Sequence, residues 1–108
     1  PAQPCLSSRF PYGEAITVAK LRRVGQAERY LRTLGYTTVR VRSEGDTARI
    51  ELPAEQIRTF VASTDLAQLV AAFQDYGFSY VSVDLEGFSS GKLNRTLVSD
   101  RREEALKP

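Results

Sequence analysis

The chain has no histidine, no methionine, no tryptophan and a single cysteine among its 108 residues. Without histidine, Ser-His-Asp and Cys-His catalytic arrangements are excluded, and metal chemistry would have to rest on carboxylates alone. One cysteine cannot close an internal disulfide, complete a tetrahedral thiolate zinc site or hold an iron–sulfur cluster. No apolar run reaches membrane-spanning length and no signal-peptide pattern is present, so the expectation is a cytoplasmic protein with no membrane partner. Neither sign of charge dominates: 15 basic and 13 acidic residues leave a net charge of +2, with the signs interspersed, and this balance demands no nucleic acid. With Pro1-Ala2-Gln3-Pro4 at its start and no initiator methionine, the chain is expected to be a fragment of a longer protein.

What is present suits one modest core, since 42% of the residues are apolar. Residues 1–16 hold three of the five prolines and show no sustained period, which reads as a loop. Thr17 supplies an N-cap. Val18, Leu21, Val24, Ala27, Leu31 and Leu34 then recur at helical spacing, and Gly35 ends the helix. Tyr36 to Arg42 alternates, Ser43-Glu44-Gly45-Asp46 reads as a turn, and Ala48, Ile50 and Leu52 alternate with Arg49 and Glu51, predicting an antiparallel hairpin. A helix broken at Ser63-Thr64, with Thr64 capping its second piece, follows Pro53, and Gly77 closes it. Phe78 to Leu85 reads as a third strand, with Val81, Val83 and Leu85 on one face. Leu34-Gly35-Tyr36 and Tyr76-Gly77-Phe78 read as one helix-to-strand joint used twice. The predicted fold is α+β, a two-layer sandwich in the order helix, strand, strand, broken helix, strand, with both helices on one face of a three-stranded sheet. Three regions follow: an active-site loop (1–16), the α+β domain (17–94) and a charged tail expected to be flexible (95–108).

The chemistry gathers in two places. Cys5 stands four residues before Arg9 in a Pro/Gly loop; a nearby cation lowers a thiol's pKa and favours the reactive thiolate, whereas a lone cysteine can equally be a small buried hydrophobe. The sheet face away from the helices carries Arg40, Arg42, Arg49, Glu51, Ser82 and Asp84. Arginines two residues apart on one strand face make an anion clamp, because the planar guanidinium matches phosphate or carboxylate oxygens in pairs. The competing reading is that Arg49 or Arg40 simply pairs with Glu51 or Asp84 across the strands. Glu28 falls inside the apolar stripe of the first helix, where a carboxylate needs a basic partner from the loop or sheet, unless it snorkels to the edge. Ser7 and Ser8 lack a general base, and Gly87 and Gly91 do not form a phosphate-binding loop.

Residues Pro1 to Gly13, with Val39-Arg40-Val41-Arg42, Ala48-Arg49-Ile50-Glu51 and Asp84 to Asn94, resemble the C-terminal half of the LarE family, ATP-dependent sulfur transferases of the PP-loop superfamily. The resemblance runs from Pro1 to about Asn94. It implies an N-terminal PP-loop domain, absent from this chain, that binds ATP and Mg2+ and adenylates a carboxylate of a pyridinium dicarboxylate mononucleotide. It further implies that a cysteine thiolate displaces AMP and then gives up its sulfur, leaving dehydroalanine, on the way to the nickel-pincer nucleotide of lactate racemase.

By the same resemblance Cys5 matches the sulfur donor and Arg9 an arginine of its motif. Arg40 and Arg42 match a paired phosphate clamp, and Glu28 a glutamate near the cysteine that helps move protons, with Arg49 and Asp84 in support. No metal ligand is assigned in this chain, the partners implied are the nucleotide substrate and the protein's own N-terminal domain, and the full-length form is expected to be a homo-oligomer. The single cysteine resembles the sacrificial branch rather than a three-cysteine branch, and Gly25 departs from a frequent glutamate. The enzyme is the full-length protein, and the fragment by itself is expected to be inactive. The alternative class is a non-catalytic docking, oligomerisation or RNA-contact module, although Tyr80 alone is too few aromatics for a stacking platform.

Overall fold

The computed structural model describes residues 8–88, so Cys5, Ser7, residues 89–94 of the resembling motif and the tail at 95–108 lie outside the described residues. The first helix, α1, spans Val18–Thr33, and its N-cap Thr17 accepts a hydrogen bond from the Lys20 amide at 3.2 Å. Only the middle of its apolar stripe is covered: Val24, Ala27 and Leu31 are buried, while Val18 and Leu34 at the ends are exposed. Strand β1 is Arg40–Glu44 and strand β2 is Thr47–Glu51, paired antiparallel with Val41 opposite Ile50 and Arg42 opposite Arg49.

The hairpin turn is therefore only Gly45-Asp46, and Ser43 and Glu44 belong to the strand rather than to the turn. The reason is a partner that strand alternation does not reveal. Ser43 is buried on the core face, where its hydroxyl accepts from Arg23 Nη2 of α1 at 3.0 Å, so a polar residue occupies an inward position without penalty. Arg23 also donates to the Gly77 carbonyl at 3.1 Å and lies 4.4 Å above the Phe78 ring, tying α1 to the far side of the fold.

After a 3-10 turn at Ala54–Gln56, the broken helix forms as two pieces, α2 (Ile57–Ser63) and α3 (Leu66–Tyr76). Asp65 rather than Thr64 caps α3, accepting from the Gln68 amide at 3.1 Å; Thr64 instead ends α2. The repeated joint is present in hydrogen bonds. Gly35 N–H reaches the Arg32 carbonyl and Tyr36 N–H the Leu31 carbonyl, and Gly77 and Phe78 repeat the pattern onto Gln74 and Phe73. Both glycines take positive φ (104° and 123°), which this reversal needs and L side chains avoid.

Strand β3 is Tyr80–Val83, shorter than the Phe78 to Leu85 expected, and runs parallel to β2 in the order β1-β2-β3. A parallel neighbour requires a crossover, which α2 and α3 supply. Past Val83 the chain turns: the Glu86 amide bonds Asp84 Oδ1 at 2.9 Å and the Gly87 amide bonds the Asp84 carbonyl at 3.0 Å, leaving Leu85 exposed. The sheet is thus mixed, with β2 central. Its inward side chains Val41, Ala48, Ile50 and Val83 meet Val24, Leu31, Phe60 and Phe73 from the helices. Full burial of each large apolar side chain contributes about 1.5–3 kcal/mol, which is what holds this two-layer α+β sandwich together.

Candidate functional site

The segment after Cys5 is fastened to the fold at several points. Phe10 is buried in the core, the Glu14 amide closes a turn onto the Pro11 carbonyl at 3.1 Å, and the Glu14 carboxylate accepts from the Gly45 amide and Lys20 Nζ, each at 3.1 Å. Burial works to raise the Glu14 pKa, but the Gly45 amide, Lys20 and Arg23 outweigh it and hold the carboxyl below its ordinary value of 4.5.

Glu28, 1% exposed, sits between Val24 and Leu31 on the covered side of α1, and its partner comes from the loop. Arg9, itself 4% exposed, donates Nε to Oε2 at 2.7 Å and Nη2 to Oε1 at 3.1 Å, a two-bond pairing. The Val41 amide of β1 donates to Oε2 at 2.9 Å, and Arg32, one turn along α1, reaches Oε1 at 3.4 Å. The snorkelling alternative is not what the structure adopts. A carboxylate and guanidinium this deep are stable only together, because removing one leaves a buried uncompensated charge. The remaining Arg9 nitrogen, Nη1, donates to Ser8 Oγ at 3.1 Å.

The opposite sheet face carries Arg40, Arg42 and Arg49 as alternation predicts, interleaved with Glu44, Glu51 and Asp84. Arg49 spans three carboxylates, with Nη1 2.9 Å from Glu44 Oε2, Nη2 3.5 Å from Glu51 Oε2 and Nε 3.6 Å from Asp84 Oδ2. Cross-strand pairing is therefore the state of Arg49 and Asp84. Arg42 donates Nε to Glu51 Oε1 at 3.0 Å and Nη1 to the Ser8 carbonyl at 2.9 Å, while its Nη2 makes no hydrogen bond among the described residues. Glu51 is fully buried and the Arg42 side chain is 15% exposed. The Arg40 guanidinium lies 5.3 Å from the centre of the Phe88 ring. Phe88 is brought there by Gly87, where a Cβ would stand 2.7 Å from the Leu52 carbonyl oxygen, and by the Phe88 amide bonded to that oxygen at 2.6 Å.

Arg9, Glu28 and Arg42 thus come together around Ser8, and Arg49 and Asp84 join them through Glu51; Cys5 lies outside the described residues. Ser8 has no general base spaced to serve it in the sequence, and in the structure it is an acceptor through hydroxyl and carbonyl. Glu51 reads in the sequence only as a cross-strand partner. Alternation places a residue on a face and does not say which arginine it holds. Among the described residues no group of three or more Cys, Asp or Glu side chains is placed to hold a metal ion. Nor is any described helix long and apolar enough to cross a membrane.

No family model matches the chain. Among curated proteins it is 69% identical over 97 residues to an uncharacterized protein of Synechocystis, covering 90% of this chain and 36% of that protein. It is 49% identical over 92 residues to the pyridinium-3,5-bisthiocarboxylic acid mononucleotide synthase of Lactiplantibacillus plantarum, covering 85% of this chain and 33% of that protein. An uncharacterized protein of Methanocaldococcus jannaschii matches at 28% identity over 90 residues, 83% of this chain. The chain spans about a third of the length of the curated relatives it matches. This 49% identity over 85% of the chain bears out its resemblance to the LarE family.

Proposed function

We propose that this chain is the sulfur-donating C-terminal domain of a LarE-type transferase acting on a pyridinium dicarboxylate mononucleotide, with Cys5 as the donor. The observation that carries the reading is the fastening of Ser8, three residues after Cys5, to Arg42 on the arginine-bearing face of the sheet. Ser8 is three Cα–Cα steps from Cys5, so connectivity alone limits their Cα separation to about 11 Å. The identity to the synthase of L. plantarum, whose name states a bisthiocarboxylic acid mononucleotide product, supports the substrate class.

In this proposal ATP and magnesium are handled by a part of the protein outside this chain, which forms the acyl adenylate. The Cys5 thiolate attacks the acyl carbon and releases AMP, giving a thioester. Removal of the Cys5 Cα proton then expels the thiocarboxylate by breaking the Cβ–S bond, leaving dehydroalanine at position 5. Arg9 supplies the positive charge four residues from the thiol, with its orientation set by Glu28. Arg40 and Nη2 of Arg42 grip the nucleotide phosphate. Arg49 and Asp84 stiffen that face from the neighbouring strands.

The test is mass spectrometry of the full-length parent protein after incubation with ATP, magnesium and pyridinium-3,5-dicarboxylate mononucleotide. Loss of one hydrogen sulfide localised to Cys5 is the expected result. AMP formation with an intact Cys5 would instead assign this chain to substrate binding or docking without sulfur donation.

A further inference from the structure

Two of the carboxylate–guanidinium pairs, Arg9 with Glu28 and Arg42 with Glu51, are anchored on different elements and converge on one residue. Arg9 Nη1 donates to the Ser8 hydroxyl at 3.1 Å and Arg42 Nη1 donates to the Ser8 carbonyl at 2.9 Å. We propose that the two pairs form a single clamp on Ser8, and that Arg42 is a positioning residue that fixes the backbone three residues after Cys5. The catalytic meaning of this role rests on the sulfur-donor reading above. The clamp itself does not.

Three features carry the inference. First, each guanidinium is aimed by a carboxylate with almost no solvent access, Glu28 in α1 and Glu51 in β2. A buried carboxylate keeps its cation because the alternative is an unpaired charge in a low-dielectric interior, so neither arginine is at liberty to swing away. Second, Arg42 spends Nε on Glu51 and Nη1 on Ser8, two nitrogens of one rigid plane bonded to two different elements. A lysine in its place, having one nitrogen on a flexible stem, keeps the charge and loses the fork. Third, Phe10 is buried two residues further on, so the backbone is held on both sides of Arg9.

The chemical return is geometric. Sulfur transfer requires the thiolate to meet the acyl carbon and then requires the Cβ–S bond to align for elimination, and a misplacement of about 1 Å at a reacting centre can cost a factor of about 100 in rate. Arg42 acts on that rate through the Ser8 carbonyl, a contact distinct from any grip of its Nη2 on phosphate. The two roles therefore separate in kinetics.

The decisive variant is Arg42→Lys, in the full-length protein with ATP, magnesium and pyridinium-3,5-dicarboxylate mononucleotide, following sulfur loss from Cys5 in single turnover. The expected result is a fall of about tenfold or more in the transfer rate at saturating nucleotide, whatever the change in the half-saturating concentration, with the rate of pyrophosphate release in the preceding adenylation step within about threefold of the unmodified protein. Ser8→Ala, at an exposed position that does not threaten folding, should lower the same rate to a smaller extent by removing the Arg9 anchor. An unchanged saturating rate, or a loss confined to the half-saturating concentration, would overturn the positioning role and leave Arg42 as a phosphate ligand only.

A second measurement separates failure of the clamp from failure of the sulfur-donor reading. In the 108-residue chain itself, amide hydrogen exchange across residues 8–12 should rise by about tenfold in Arg42→Lys and in Glu51→Gln, with the middle of α1 protected as before. Unchanged exchange overturns the clamp whatever reaction the parent performs. Faster exchange alongside an intact Cys5 in the parent would retain the clamp and discard the donor.

Discussion

Glu28 and Glu51 are both buried carboxylates held by arginine, yet their surroundings differ in a way that separates their roles. Glu28 receives a two-bond Arg9 pairing, a second guanidinium and a backbone amide. Glu51 is shared between Arg42 and Arg49, and Arg49 is itself partly exposed and divided among three carboxylates. The first carboxylate takes two bonds from one guanidinium and a third from a backbone amide. The second belongs to a face where cations and anions alternate and can trade contacts. One arrangement stores stability, and the other orients groups at modest cost.

The sharpest way to break this contrast is to remove each charge in turn. Glu28→Gln should cost about 3 kcal/mol or more by leaving Arg9 buried without its counter-charge. That corresponds to a drop in Tm of at least about 10 °C for a domain of this size, readable by thermal circular dichroism. Glu51→Gln should cost about 1–3 kcal/mol, because Arg42 retains some access to water and Arg49 keeps Glu44 and Asp84. Equal losses would erase the distinction.

Salt sharpens the comparison at the next level down. In double-mutant cycles, the coupling between Arg49 and Glu44 should be about 0.2–1 kcal/mol at low ionic strength and should vanish near 1 M salt, where the screening length is about 3 Å. The Arg9–Glu28 coupling should persist there, since neither partner faces solvent.

The smallest expected effect concerns the loop's other fastening. Because the Glu14 pKa is lower in the folded chain than its ordinary 4.5, its contribution is fully present above that value and is lost as pH falls through the folded-state value. Glu14→Gln should therefore lower stability by under about 1 kcal/mol at neutral pH and flatten the acid limb of a Tm-versus-pH curve below 4.5, with no change in slope at higher pH.

Glu28 was legible in the sequence because helical periodity is strict: a carboxylate between Val24 and Leu31 has to be explained, and a cation from the loop was the natural explanation. The helix-to-strand joints were legible for the same reason, as glycine at a fixed distance from the last apolar residue has a defined backbone use. Strand order was not, since periodicity gives each strand a face and no neighbour. Ser43 was misplaced because its burial depends on Arg23, twenty residues earlier and on another element. The convergence on Ser8 escaped notice because half of it runs through a backbone carbonyl, a group every residue possesses.

The amide of Val41 has a consequence outside the site. β1 is an edge of the sheet among the described residues, and an exposed edge offers unpaired amides to which a foreign strand can add. At Val41 that amide is already occupied by Glu28 from α1. The carboxylate that aims Arg9 therefore also guards the edge against strand addition, and a variant that loses it is expected to aggregate through β1 as well as to unfold more readily.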